Sequence, residues 1–136
     1  MKEEKVIKFF ANRKRKGKHY LLPKQKNKNR FTLVLDLDET LVSAGTDEIK
    51  GFTKKVDFKY GSSNIELYVK HWPYLIHFLT TMKKYAEIVL FSASEQEYAQ
   101  EVVKTFESFP GEYIDHVLTW DSCKYVGEYY VKTWGI

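Results

Sequence analysis

The sequence predicts an α/β fold built on a parallel sheet, with a β-hairpin inserted after the first strand. Three observations carry that prediction. Two compact apolar runs, Phe31–Leu37 and Glu87–Ser92, suit strands buried on both faces, as parallel sheets require. Apolar stripes at helical spacing separate the strands, which implies right-handed crossovers. Between the first strand and its helix, Val56, Phe58 and Tyr60 alternate with polar residues, and Ile65, Leu67 and Val69 do so again.

Taken in order, the chain divides at residue 30. Residues 1–30 carry twelve Lys or Arg against two Glu, a balance of +10, whereas residues 31–136 carry ten against sixteen, a balance of −6. The net charge of +4 is therefore set by a basic N-terminal tail on an acidic body. The clusters Asn12–Lys18 and Lys24–Arg30 suit an import receptor or an acidic partner. Nucleic acid is disfavoured as a substrate, because aromatics that stack on bases are not interleaved with the charges.

Phe31–Leu37 opens the body, and the hairpin follows with Gly61–Asn64 as a four-residue turn. Pro73 then opens a helix whose core stripe is Leu75, Phe78, Leu79 and Met82, with Lys83 and Lys84 complementing the dipole in its last turn. Glu87–Ser92 is the second buried strand. Ser94 and Glu97 have capping-box spacing for a helix that buries Tyr98, Val102, Val103 and Phe106 and stops at Pro110-Gly111. A third strand lies within Tyr113–Trp120, and Tyr129–Val131 is a short extended piece.

Composition excludes some classes. The longest apolar runs, such as Ile88–Phe91, fall far short of the roughly 20 residues that span a bilayer. The single cysteine, Cys123, forms neither an internal disulfide nor a zinc cluster, which points to a reducing intracellular compartment. His71, His77 and His116 show no metal spacing.

The chemistry concentrates at strand ends. Open α/β sheets bind ligands at the carboxyl ends of their strands. Asp36 and Asp38 close the first strand and Ser92 closes the second. A carboxylate buried there is costly unless it is paired or holds a metal. A bare Asp-x-Asp serves as well for a turn cap beside a solvated neighbour. The whole run Asp36-Leu-Asp-Glu-Thr40, its strand and Ser92 together point to an active site instead.

Thr32–Val42, Val89–Ser94, Asp121-Ser-Cys123 and Tyr130-Val-Lys132 resemble the FCP/SCP-type C-terminal-domain phosphatases of the haloacid dehalogenase superfamily. The resemblance implies a haloacid-dehalogenase-like Rossmannoid sheet over 31–136. It also implies a Mg-dependent phosphoprotein Ser/Thr phosphatase that works through an aspartyl-phosphate on Asp36, with Asp38 as acid and base. Mg²⁺ is expected on a carboxylate oxygen of Asp36 and the backbone carbonyl of Asp38. Thr40 is expected to brace the loop by hydrogen bonding. Ser92, with the Ala93 amide, is expected to hold phosphate oxygens, and Lys132 to neutralise the transferring group. The expected partner is a phosphorylated protein or peptide, in the nucleus rather than the cytoplasm.

The chain departs from the family pattern at Ser43, where His is frequent, and at Trp72 and Trp120, where Arg is usual. Those tryptophans lack an arginine's bidentate contacts but suit stacking on proline or tyrosine. The family continues past the lysine into a metal-binding strand beside the first strand. The chain is therefore expected to be C-terminally incomplete, with Phe31–Leu37 as an uncovered edge. The alternative is a catalytically incomplete phosphopeptide-binding module with the same fold.

Overall fold

The computed structural model describes residues 8–10 and 30–132. The basic run Asn12–Lys18, most of the second cluster and Thr133–Ile136 lie outside the described residues.

The main sheet has four strands: β1 (Lys8–Phe10), β2 (Phe31–Leu35), β6 (Ala86–Phe91) and β7 (His116–Leu118), in the order β1-β2-β6-β7. The β2–β6 and β6–β7 pairs are parallel, with Leu35 opposite Leu90 and Leu90 opposite Val117. The expected α/β fold with a parallel core is present. The third strand is shorter than Tyr113–Trp120, because Trp120–Ser122 curls into a 3-10 turn. β1 pairs antiparallel with β2, Lys8 opposite Val34 and Phe10 opposite Thr32. The edge of Phe31–Leu37 expected to lie open is thus paired by this chain's own backbone.

Two helices, α1 (Leu75–Lys83) and α2 (Gln96–Val103), make the crossovers. The strand order runs β2, β6, β7 in one direction, so right-handed crossovers put both helices on the same face. The two sides of the sheet divide accordingly. Leu33, Leu35, Ile88 and Leu90 join Leu75, Leu79, Ala99, Val102 and Val103 in one cluster. Val34, Val89 and Phe91 point the other way and are covered by Cys123, Ala93 and Leu118. Cys123 is buried there, as a small apolar residue would be.

The insertion is larger than a hairpin. β3 (Val42–Gly45), β4 (Lys54–Tyr60) and β5 (Ser63–His71) form an antiparallel sheet in the order β3-β5-β4. Tyr60 pairs with Ser63, so the turn is two residues, Gly61-Ser62, rather than four. Gly61 supplies φ of +63° at the first central position, as a type II′ hairpin requires. Leu67 and Val69 enter the main core, and Val56, Phe58 and Ile65 pack against it half-buried.

Two helix starts differ from expectation. Tyr74 has φ of 65°, a left-handed backbone that blocks a helix from Pro73, so α1 begins at Leu75. Its stripe stands: Leu75 and Leu79 are buried, with Phe78 and Met82 against the core. The Ser94–Glu97 capping box does not form. Glu95 is the N-cap of α2 and makes no side-chain cap, because the Ser94 hydroxyl is engaged with Ser92 Oγ at 2.7 Å. α2 ends at Val103, ahead of Pro110. Phe106 is nonetheless buried, in the turns that follow.

Candidate active site

The parallel pairing of β2 and β6 brings their carboxyl ends side by side, so Asp36–Asp38 and Ser92 leave the sheet at the same edge. Past β2 the chain turns sharply. The Leu37 carbonyl accepts N–H groups from Thr40, Leu41 and Val42 at 3.3, 2.9 and 3.3 Å, and Glu39 N–H donates to the Val42 carbonyl at 2.8 Å. This folding-back demands φ of 57° at Glu39, an uncommon conformation for a residue with a Cβ. Ser43 Oγ donates to both carboxylate oxygens of Glu39 at 3.1 Å and helps to hold the turn. The residue that departs from the family pattern at position 43 therefore has a local structural partner.

Asp36 is buried, with only 4% of its surface exposed. Its Oδ1 accepts a hydrogen bond from Lys132 Nζ at 2.5 Å. Lys132 follows the hairpin of β8 (Lys124–Val126) and β9 (Tyr129–Val131), 96 residues further along the chain. Asp36 Oδ2 is buried and has no hydrogen-bond partner among the described residues. An acceptor left in that condition costs roughly 1–3 kcal/mol or more, and the cost is relieved by a ligand that supplies charge or protons. Thr40 Oγ1 is orphaned in the same way. The loop is braced by its main chain, and the hydroxyl expected to brace it makes no bond among the described residues.

Asp38 is half-buried, and Tyr98 OH donates to its Oδ1 at 2.5 Å. Burial raises its carboxyl above the ordinary range, and the neighbouring Asp36 and Glu39 add to the rise. The Tyr98 hydrogen bond and Lys132 oppose it without cancelling it. A raised carboxyl thus stands beside a buried carboxyl whose partner is a lysine, so the two acids sit in different environments.

Ser92 is buried at the end of β6. Its N–H donates to the Leu118 carbonyl at 2.9 Å, and its Oγ accepts the Ser94 N–H at 3.2 Å. Asp36, Asp38 and Lys132 are thus gathered as neighbours, and Ser92 is set at the adjoining strand end. Among the described residues, no group of three or more His, Cys, Asp or Glu converges as a metal site. A groove of about 590 Å³ lies on the insertion, lined by Asp57, Phe58, Lys59, Asn64, Ile65 and Glu66. None of the five candidate residues lines it.

The sequence reading missed Tyr98 as a site residue, because it fell on the apolar stripe of α2. The available signal was its hydroxyl, since a tyrosine placed in a core usually finds a polar partner. Two of the three histidines left without a role have structural ones: His116 Nε2 lies 2.9 Å from the buried Glu87, and His71 Nε2 lies 2.7 Å from Thr105 Oγ1.

Residues 31–136 match the family model described as NLI interacting factor-like phosphatase. The chain belongs to that family. Among its relatives, CTD small phosphatase-like protein 2 of Dictyostelium discoideum is 30% identical over 112 residues, which is 82% of this chain and 19% of that protein. Nuclear envelope morphology protein 1 of Saccharomyces cerevisiae is 33% identical over 121 residues, covering 82% of this chain and 27% of that protein. The chain therefore spans about a fifth to a quarter of the length of these family members. A structure of the fission yeast RNA polymerase II CTD phosphatase Fcp1 bound to beryllium fluoride superposes with a TM-score of 0.59, at 24% identity, over 68% of this chain and 30% of that one. That likeness shows the shared fold, a haloacid-dehalogenase-like parallel sheet.

Proposed function

We propose that this family domain is a Mg-dependent protein Ser/Thr phosphatase that works through an aspartyl-phosphate on Asp36. The observation that carries the reading is the state of Asp36. It is a buried carboxylate with Lys132 on one oxygen and no partner among the described residues on the other, two residues before a carboxyl with raised proton affinity.

Asp36 Oδ2 attacks phosphorus in line and forms the acyl-phosphate bond as the bond to the seryl or threonyl oxygen breaks. Asp38 gives its proton to that departing oxygen. It later takes a proton from the water that cleaves the acyl-phosphate, which releases inorganic phosphate and restores Asp36. Lys132 offsets charge on the transferring oxygens, and Ser92 presents its hydroxyl to them. The two Asp residues suit Mg²⁺, which takes oxygen donors and is commonly held by one or two carboxylates, the rest of its shell coming from water and phosphate. The Asp36 carboxylate oxygen that does not attack and the Asp38 backbone carbonyl would hold it, and when bound it would supply positive charge beside the phosphoryl group.

The expected substrate is a phosphorylated protein or peptide, and the expected location is the nucleus. The relatives' names support both: one is a CTD small phosphatase-like protein and another a nuclear envelope morphology protein. The basic run Asn12–Lys18 fits the same location. The test is hydrolysis of a phosphoserine peptide and of p-nitrophenyl phosphate, with and without Mg²⁺, by the parent and by Asp36→Asn. Metal-dependent turnover that Asp36→Asn abolishes supports the enzyme. Phosphopeptide binding by a parent that turns over neither substrate would instead support a catalytically incomplete binding module.

A further inference from the structure

Tyr98 does not sit among the strand-end residues, yet it reaches the site. It lies in the first turn of α2, 60 residues beyond Asp38, and its OH donates to Asp38 Oδ1 at 2.5 Å. Its ring is half-buried against the main core, so the hydroxyl is delivered from a packed position. Asp38 itself sits on a loop whose turn depends on a left-handed Glu39, so its backbone alone does not clamp the carboxyl. α2 follows directly on the Ser92–Ser94 segment, whose hydroxyls lie 2.7 Å apart. One short stretch of chain therefore carries both the serine at the strand end and the hydroxyl that holds the second aspartate.

We propose that Tyr98 is a positioning residue that turns the Asp38 carboxyl and assigns its two oxygens different tasks. An O–H that donates to Oδ1 requires Oδ1 to be an acceptor, so the proton of the acid form resides on Oδ2. Oδ2 is then the atom that protonates the departing seryl oxygen. A carboxyl free to rotate would spend part of its time with the proton aimed away from the substrate, and general acid catalysis depends on hydrogen-bond reach at the moment of transfer. This inference rests on the phosphatase reading above.

The test is Tyr98→Phe in the full chain, which keeps the ring in the core and removes the hydroxyl. A seryl oxygen is a poor leaving group that needs the proton, whereas p-nitrophenolate leaves without one. The value of kcat/KM, which stops at formation of the phosphoenzyme, should fall about tenfold or more for a phosphoserine peptide. For p-nitrophenyl phosphate it should change by less than about twofold. A loss that is equal for both substrates would mean a merely structural role and would overturn the inference, as would no loss for the peptide. The ¹³Cγ resonance of Asp38 in the resting protein supplies a readout independent of turnover. It should move in Tyr98→Phe, and an unchanged resonance rejects the contact. If instead Asp36→Asn and Asp38→Asn leave activity intact, the aspartyl-phosphate reading itself fails, which is a different outcome from a silent Tyr98→Phe.

Discussion

Lys132 Nζ and Asp36 Oδ1 form an ion pair across 96 residues, 2.5 Å apart, with side-chain exposures of only 14% and 4%. Little solvent screens the pair, so each charge depends on the other. Truncating Lys132 leaves a buried carboxylate with both oxygens unsatisfied, a state that typically costs about 3–5 kcal/mol. Lys132→Met should therefore destabilise the domain by about 3 kcal/mol in urea unfolding. The double variant Asp36→Asn/Lys132→Met should recover most of that loss, because it removes the stranded charge. Equal stability of the single and double variants would show that the pair is not coupled.

The raised proton affinity of Asp38 is also a statement about stability. Burial disfavours its charged form in the fold, so its contribution to stability is fully present below the unfolded carboxyl value of 3.8 and is lost as pH rises through the higher folded value. At pH 7 the site carries that penalty. Asp38→Asn keeps an oxygen to accept the Tyr98 hydroxyl and removes the charge, so it should unfold at higher urea concentration than the parent at pH 7. The difference should shrink toward pH 4. Its phosphoserine turnover should fall by about 10²-fold or more. A variant less stable than the parent at neutral pH would contradict the burial account.

How far the sequence revealed this arrangement depended on how local each cause is. β6 was legible because all six of its residues are apolar or buried, and α1 because its stripe is regular. β3 was not, since Val42–Gly45 carries no alternation and becomes a strand only by pairing with β5. The hairpin turn was misjudged because Ser63 and Asn64, polar and exposed, look like loop yet sit in the ladder opposite Tyr60 and Lys59. At the candidate site, the clustering of polar residues at strand ends was legible from the five-residue motif. The Tyr98 contact was not, because the helical period that places Tyr98 against the core does not reveal where its hydroxyl points.

Tyr74 offers a backbone test. Its φ is 65° while its side chain is 82% exposed, so the ring contributes little packing to offset the strain. A left-handed conformation costs an L-residue roughly 1–2 kcal/mol, and glycine's extra unfolded-state entropy costs roughly 0.5–1 kcal/mol. The strain is the larger effect. Tyr74→Gly should stabilise the domain by about 0.5–1 kcal/mol in urea unfolding. Tyr74→Ala, which keeps the Cβ, should change little. If Gly and Ala behave alike, the left-handed backbone is not what limits stability here.

His71 predicts an acid-side loss of stability. It ends β5, its Nε2 lies 2.7 Å from Thr105 Oγ1, and its ring meets Phe106 edge-on at 5.9 Å. Burial holds its proton affinity below the ordinary histidine value of 6.5, and Lys54 on the neighbouring strand lowers it further. The unfolded chain therefore binds the proton more readily than the fold does. The contribution of His71 is fully present above pH 6.5 and is lost as pH falls through the lower folded value. His71→Gln has an amide to meet Thr105 and no charge to titrate in this range. Urea unfolding followed from pH 7.5 to pH 5 should fall less steeply for His71→Gln than for the parent. Parallel curves would place the acid sensitivity of the domain on other groups.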